Sequence, residues 1–121
     1  MILADSSIWI DHLHKRDEAL VNLLQRGRIL VHPFVIGEMA LGHVRNRALV
    51  VHNLKEQPQA SIASDEEVLQ LIEHGKLAGT GIGYIDAHLL ASVRITPGLS
   101  FWTRDRRLND VAVRLVIAAK I

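Results

Sequence analysis

Three short, largely apolar runs constrain this chain more than anything else in it. They are residues 2–4 (Ile-Leu-Ala), 29–31 (Ile-Leu-Val) and 99–103 (Leu-Ser-Phe-Trp-Thr). Each is too short for a helix, and none shows the polar alternation of a half-exposed strand. A continuous apolar run is what a strand covered on both faces requires. The first run stops at once at Asp5, and the third is followed by Arg104 and Asp105. Between the runs, apolar residues recur at helical spacing. Short buried strands alternating with helices predict an α/β/α sandwich built on a short, mainly parallel sheet.

The helices announce themselves by their ends. Ser6 or Ser7 is suited to cap a helix through Trp9 and Leu13, and a second helix is expected over residues 17–25, ended by Gly27. Pro33 suits the first turn of a helix reaching about Val44. Another helix should cover residues 48–55. Ser64-Asp65-Glu66-Glu67 is a capping box that opens a helix closed near Gly75. The glycine-bearing loop 79–83 leads into a helix with Ile82, Ile85, Leu89 and Val93 on one stripe. A short helix over 106–111 and a last strand over 114–118 complete the pattern.

Composition narrows the class. A length of 121 residues is one ordinary domain, spanning 1–121, and 49% hydrophobic residues are enough for a packed core. The net charge of +1 disfavours a protein that coats nucleic acid by charge alone. The absence of cysteine excludes disulfide scaffolds, Cys-based zinc modules and thiol catalysis, and is compatible with a reducing compartment. Met-Ile-Leu-Ala-Asp reads as a strand rather than a signal peptide, and no run approaches the ~20 apolar residues of a membrane helix. The expectation is a cytoplasmic protein with no membrane partner.

In an open parallel sheet, ligands bind beyond the carboxyl ends of the strands, where strand order reverses. Asp5 and Asp105 fall there. Two further acids lack a solvated surface explanation. The helical neighbours of Glu38 are Phe34, Val35, Leu41 and Gly42, and those of Asp86 are Ile82, Gly83, Leu89 and Leu90. None is polar. By contrast Asp11, Asp110 and Glu73 have basic or polar neighbours, and Asp110 has Arg106 and Arg107 to pair with. A lone carboxylate on an apolar face needs a cation, a basic partner or a cleft. The bland reading is a buried Arg or Lys beside Glu38 or Asp86. Four acids converging on one pocket would instead call for a hard divalent ion, Mg²⁺ or Mn²⁺.

At these residues the chain resembles the PIN-domain ribonucleases, most closely the VapC-type toxins of bacterial toxin–antitoxin pairs. Leu3-Ala4-Asp5-Ser6-Ser7-Ile8-Trp9-Ile10-Asp11 is similar to the family's first motif. Ile36-Gly37-Glu38-Met39 with Leu41-Gly42 is similar to its helix acid. Ile85-Asp86-Ala87-His88-Leu89-Leu90-Ala91-Ser92 resembles the third motif, and Trp102-Thr103-Arg104-Asp105-Arg106-Arg107-Leu108 the fourth. The resemblance implies a PIN-like fold and a Mg²⁺- or Mn²⁺-dependent endoribonuclease. Asp5, Asp86 and Asp105 would hold metal, and Glu38 would bind it through water or orient the nucleophile. Ser6, Ser7 and Thr103 would hydrogen-bond the carboxylates. It also implies a homodimer silenced by a cognate antitoxin, whose peptide covers the pocket of an RNA-cutting enzyme.

Other features have plainer readings. Arg104, Arg106 and Arg107 could hold RNA phosphates, or could be a solvated helix start. Arg45, Arg47 and Lys55 read as surface. The seven histidines show no His-Glu-x-x-His spacing and read as surface or satisfied core residues. Trp9 and Trp102 read as packing rather than base stacking. Loop 79–83 lacks the Gly-Lys-Ser/Thr ending of a phosphate-binding loop. Two rival functions remain. A receiver-like Mg²⁺-binding phosphoacceptor would need paired acids after the first strand and a late Lys. A non-catalytic RNA- or protein-binding module could share the fold.

Overall fold

The chain begins with the strand that everything else is built around. A computed structural model describes residues 1–121. The order is β1 (Ile2–Ala4), α1 (Ser6–His14), α2 (Glu18–Gln25), β2 (Ile29–Leu30), α3 (Pro33–Leu41), α4 (Arg47–Glu56), α5 (Asp65–His74), α6 (Tyr84–Ile95), β3 (Ser100–Trp102) and α7 (Arg106–Arg114). The sheet has the order β2-β1-β3 and is parallel throughout. Ile2 pairs with both Ile29 and Ser100, and Leu3 with both Leu30 and Phe101. All three residues of β1 are buried, as a central strand covered on both faces must be.

The strand order reverses at β1. The chain leaves β1 to one side through α1 and α2, then returns past it through α3 to α6 to reach β3. The two crossovers leave β1 in opposite directions, and α1 nevertheless packs against α3, which carries α4 beside it. Leu3, Ile8, Leu20, Val35, Leu89, Leu90, Phe101 and Leu108 fill the interior between sheet and helices. No helix is long and apolar enough to cross a membrane.

Several expectations about element ends are corrected. Asp5, not Ser6 or Ser7, caps α1: its carboxylate accepts from the Ser7 N–H at 3.0 Å. The run of β1 therefore passes into a helix with no intervening loop. Helix α3 stops at Leu41 rather than Val44, because Gly42 turns out of it while its N–H still reaches the Glu38 and Met39 carbonyls. Helix α6 begins at Tyr84, so Ile82 precedes it. Helix α7 runs on to Arg114, and the expected strand over 114–118 shrinks to a single bridge between Ala118 and Phe101. The cause is that Leu108, Val111, Ala112 and Leu115 continue one buried helical stripe, and Val116 then reverses the chain at φ 61°. The Ser64–Glu67 capping box forms with both of its bonds, at 3.1 and 2.9 Å.

One buried histidine ties the start of the second crossover to its last helix. His32 is fully buried and caps α3, its Nδ1 accepting from the Phe34 N–H at 3.0 Å. The ring proton therefore sits on Nε2, which lies 3.0 Å from the buried Ser92 Oγ on α6. Its ring also meets Phe34 edge-on at 4.9 Å. Burial, with a smaller push from His88, lowers its pKa from 6.5 to about 4. The unfolded chain thus binds the extra proton between pH 6.5 and 4, and the folded chain does not. This contribution to stability is complete above pH 6.5 and is lost as pH falls towards 4, by on the order of 3 kcal/mol. Urea unfolding at stepped pH should show that loss. His32→Asn should be less stable at neutral pH yet show a flatter acid limb. An unchanged slope in the variant would assign the acid limb to other groups.

Candidate active site

The switch point between β1 and β3 gathers acids from four separate segments. Asp5 closes β1. Its own N–H bonds the Trp102 carbonyl at 3.1 Å, so its backbone still belongs to the sheet. Its side chain is 5% exposed and is held by three donors. Oδ1 accepts from the Ser7 N–H at 3.0 Å and the Ser7 hydroxyl at 2.5 Å, and Oδ2 accepts from the Thr103 hydroxyl at 2.6 Å. Burial pushes the Asp5 carboxyl up from its ordinary value. The Ser7 and Thr103 donors pull it back, and the charge of Asp86 adds to the rise.

Asp86 lies in the first turn of α6, where its Oδ2 accepts from the Gly83 N–H at 3.0 Å. Burial raises its pKa, the Gly83 N–H opposes this, and Asp105 raises it further. Asp105 caps α7, accepting from the Leu108 N–H at 3.0 Å, while its own N–H donates to Thr103 Oγ1 at 3.0 Å. Glu38 sits on α3. It is an exposed residue, against the expectation of an apolar face, yet partial desolvation of its carboxyl raises its pKa, with Asp86 and Asp5 adding to the rise and the Ser6 hydroxyl opposing it. The four carboxylates therefore sense one another. No Arg, Lys or His pairs with Glu38 or Asp86, which removes the buried-cation reading for both.

This donor set suits a hard cation. All four groups offer oxygen, and their mutual repulsion is relieved by positive charge. As they stand, no three acidic or histidine side chains are close enough to hold one ion together. Three of the four are each tied to a helix N-terminus by one oxygen. Mg²⁺ commonly takes only one or two carboxylates and keeps several waters, so the arrangement fits an ion bound partly through water.

The surroundings differ in part from expectation. Arg104 is not an isolated surface cation. Its guanidinium bonds Asp11 at 3.0 Å and Asp17 more closely still, and it lies 5.4 Å from the centre of the Trp102 ring. Asp11, read as a plain surface charge, is therefore a partner of the site's loop. The pairing of Asp110 with Arg106 or Arg107 does not form. Arg107 instead lies across the loop before α6: a Cβ at Gly81 would fall 2.8 Å from its Nη1. Gly81, at φ +87°, suits the turn, and a side chain there would have to displace the end of Arg107. Arg106 is exposed. His88 points away from the acids and contacts Asp65 at 3.4 Å, with its Nδ1 buried and unpartnered. Trp9 is buried with an unpartnered Nε1, and Trp102 is half-buried.

An open groove of about 620 Å³ runs up to Glu38. Ile10 and Leu13 of α1 form one wall, and Leu49, Val50 and Asn53 of α4 the other.

The comparisons with known proteins agree with this architecture. The PIN domain family model matches residues 2–114. Two curated relatives, both named Ribonuclease VapC32, come from the CDC 1551 and H37Rv strains of Mycobacterium tuberculosis. Each is 44% identical over 118 residues, covering 98% of this chain and 95% of the relative. With a family match over nearly its whole length and VapC relatives at this identity, the chain belongs to the PIN-domain family, in its VapC branch.

Proposed function

We propose that this chain is a single-domain, Mg²⁺- or Mn²⁺-dependent endoribonuclease, the toxin of a type II toxin–antitoxin pair. The observation that supports the reading is that the charges of Asp5, Glu38, Asp86 and Asp105 act on one another, with three of the carboxyls raised above their ordinary values by burial first and no Arg, Lys or His paired with Glu38 or Asp86. The curated relatives' name, ribonuclease, supplies the substrate class. The receiver-like alternative loses ground, because the segment after β3 carries Thr103, Arg104 and Asp105 and no lysine.

In this reading Asp5, Asp86 and Asp105 hold the metal. The bound ion supplies charge stabilisation for the phosphate and lowers the pKa of the attacking water. Ser7 and Thr103 keep the Asp5 carboxylate ionised and fixed in one rotamer. The Ser6 hydroxyl opposes the rise in the Glu38 pKa. Glu38 is not tied to a helix end, and its raised pKa suits it to orient the water and take its proton. Water would attack phosphorus in line as the P–O3′ bond breaks, Glu38 taking a proton from the water and the departing 3′ oxygen taking one from solvent. The products carry a 5′-phosphate and a 3′-hydroxyl. Arg106 and Arg107, unpaired at the rim, are the side chains left to hold RNA phosphates. The groove between α1 and α4 suits an apolar segment of the antitoxin, with a basic side chain reaching the acids. A homodimer in the cytoplasm completes the reading.

Purified protein with Mn²⁺ should cleave total cellular RNA, and Asp5→Asn or Asp86→Asn should reduce cleavage by at least about 100-fold. Equal cleavage by all three proteins would refute the site, and an inactive wild type would favour a binding module. EDTA should abolish activity, with recovery on adding Mn²⁺.

The pKa directions give an independent check. A carboxyl whose folded pKa is raised binds more protons folded than unfolded, so its contribution to stability falls as pH rises through its pKa. At neutral pH the metal-free site is therefore destabilising. Asn at position 86 keeps an oxygen for the Gly83 N–H while removing the charge. Metal-free Asp86→Asn should melt a few degrees above wild type at pH 7 by differential scanning calorimetry, and added Mn²⁺ should raise the wild-type Tm more than that of the variant. A lower Tm for metal-free Asp86→Asn would show that repulsion at the site is not significant.

A further inference from the structure

Arg104 stands between the acids and the tip of the molecule where α1 and α2 meet. Its guanidinium forks between two carboxylates on different helices: Asp11 in the last turns of α1, and Asp17, the N-cap of α2. Asp17 is itself held. Its Oδ1 accepts from the Leu20 N–H at 3.0 Å, and its own N–H donates to His12 Nδ1 at 3.0 Å. Its side chain is only 13% exposed. The other end of Arg104 is equally fixed. Its backbone N–H donates to Ser7 Oγ at 2.9 Å, and that same hydroxyl donates to Asp5. The flanking residues of the loop are Thr103, which donates to Asp5, and Asp105, one of the four acids.

We propose that Arg104 is a positioning residue that clamps the 103–105 loop against α1 and α2, and so holds Ser7, Thr103 and Asp105 in the arrangement that completes the metal site. The proposal rests on the metal-site reading above. It assigns Arg104 a role distinct from gripping RNA: both faces of its fork are already occupied by carboxylates. An arginine is needed because one planar fork reaches two acids at once, which an ammonium does not.

Three variants of the full-length chain test this: Arg104→Ala, Arg104→Lys and Asp17→Asn. Asn remains a good N-cap, so Asp17→Asn keeps the start of α2. Binding of Mn²⁺ alone is followed by the electron paramagnetic resonance signal of the free ion, and cleavage of total cellular RNA by initial rates across RNA concentration. The clamp predicts that each variant weakens Mn²⁺ binding about tenfold. The maximal rate should fall comparably, while the RNA concentration for half-maximal rate stays within about twofold. The Asp17→Asn, Arg104→Ala double variant should be little worse than Arg104→Ala alone.

A phosphate contact predicts the opposite pattern. Arg104→Lys would then behave as wild type, Arg104→Ala would raise only the half-maximal RNA concentration, and Asp17→Asn would be silent or improve binding. That pattern overturns the proposal, as does wild-type Mn²⁺ affinity in Asp17→Asn. A wild-type chain that binds no Mn²⁺ overturns the metal-site reading itself, and the clamp with it.

Discussion

The buried carboxylate of Asp5 is the joint on which this molecule turns. Placing a charge where only 5% of the residue sees solvent costs several kcal/mol unless donors meet it. Three do, and they come from both neighbouring segments: Ser7 from α1, and Thr103 from the end of β3. One carboxylate thus ends the central strand, starts the first helix and anchors the last loop. The catalytic proposal and the folding of the sheet depend on the same three bonds. A change that frees Asp5 for a ligand would also loosen the join between β1 and β3.

The other acids extend this logic. Asp105 caps α7, and Asp86 bonds the first turn of α6. Together with Asp5, three of the four acids sit at helix N-termini, where unpaired N–H groups and the helix dipole favour negative charge. That support lets like charges accumulate in one place. It does not offset the cost of burying them, which holds the Asp5 and Asp86 carboxyls above their ordinary values, with a smaller push from the neighbouring acids. Glu38 is the exception, standing within α3 with only Ser6 to oppose the rise in its pKa. In the proposed mechanism, the structural duties of three acids leave proton transfer to the fourth.

What could be read from the sequence divides along the range of the interactions. The buried run at Ile2–Ala4 and the capping box at Ser64 are local, and both stand as expected. Asp5 and Asp105 at strand ends, and Glu38 and Asp86 among apolar helical neighbours, could be singled out because those are local patterns too. Residues 114–118 misled because the helix keeps Arg114 and the turn at Leu115 and Val116 uses up the next two positions, leaving only a bridge at Ala118 and backbone bonds joining Ile117 and Ala119 to Phe101. Serine looked the better cap at the start of α1, yet Asp5 took the role because it also had Thr103 to answer. The fork of Arg104 was invisible. It spans 93 residues to Asp11 and 87 to Asp17, and neither spacing leaves a periodic trace.

The pairing of β1 with β3 has a consequence for how the protein is made. The central strand is synthesised roughly a hundred residues before its partner Phe101 and the donor Thr103. Contacts of such long sequence separation form slowly, since loop-closure entropy must be met before they repay it. Until the segment around residue 103 has been synthesised, Asp5 lacks one of its donors. The order of synthesis itself therefore leaves the β1 carboxylate short of a partner while the intervening helices are being made.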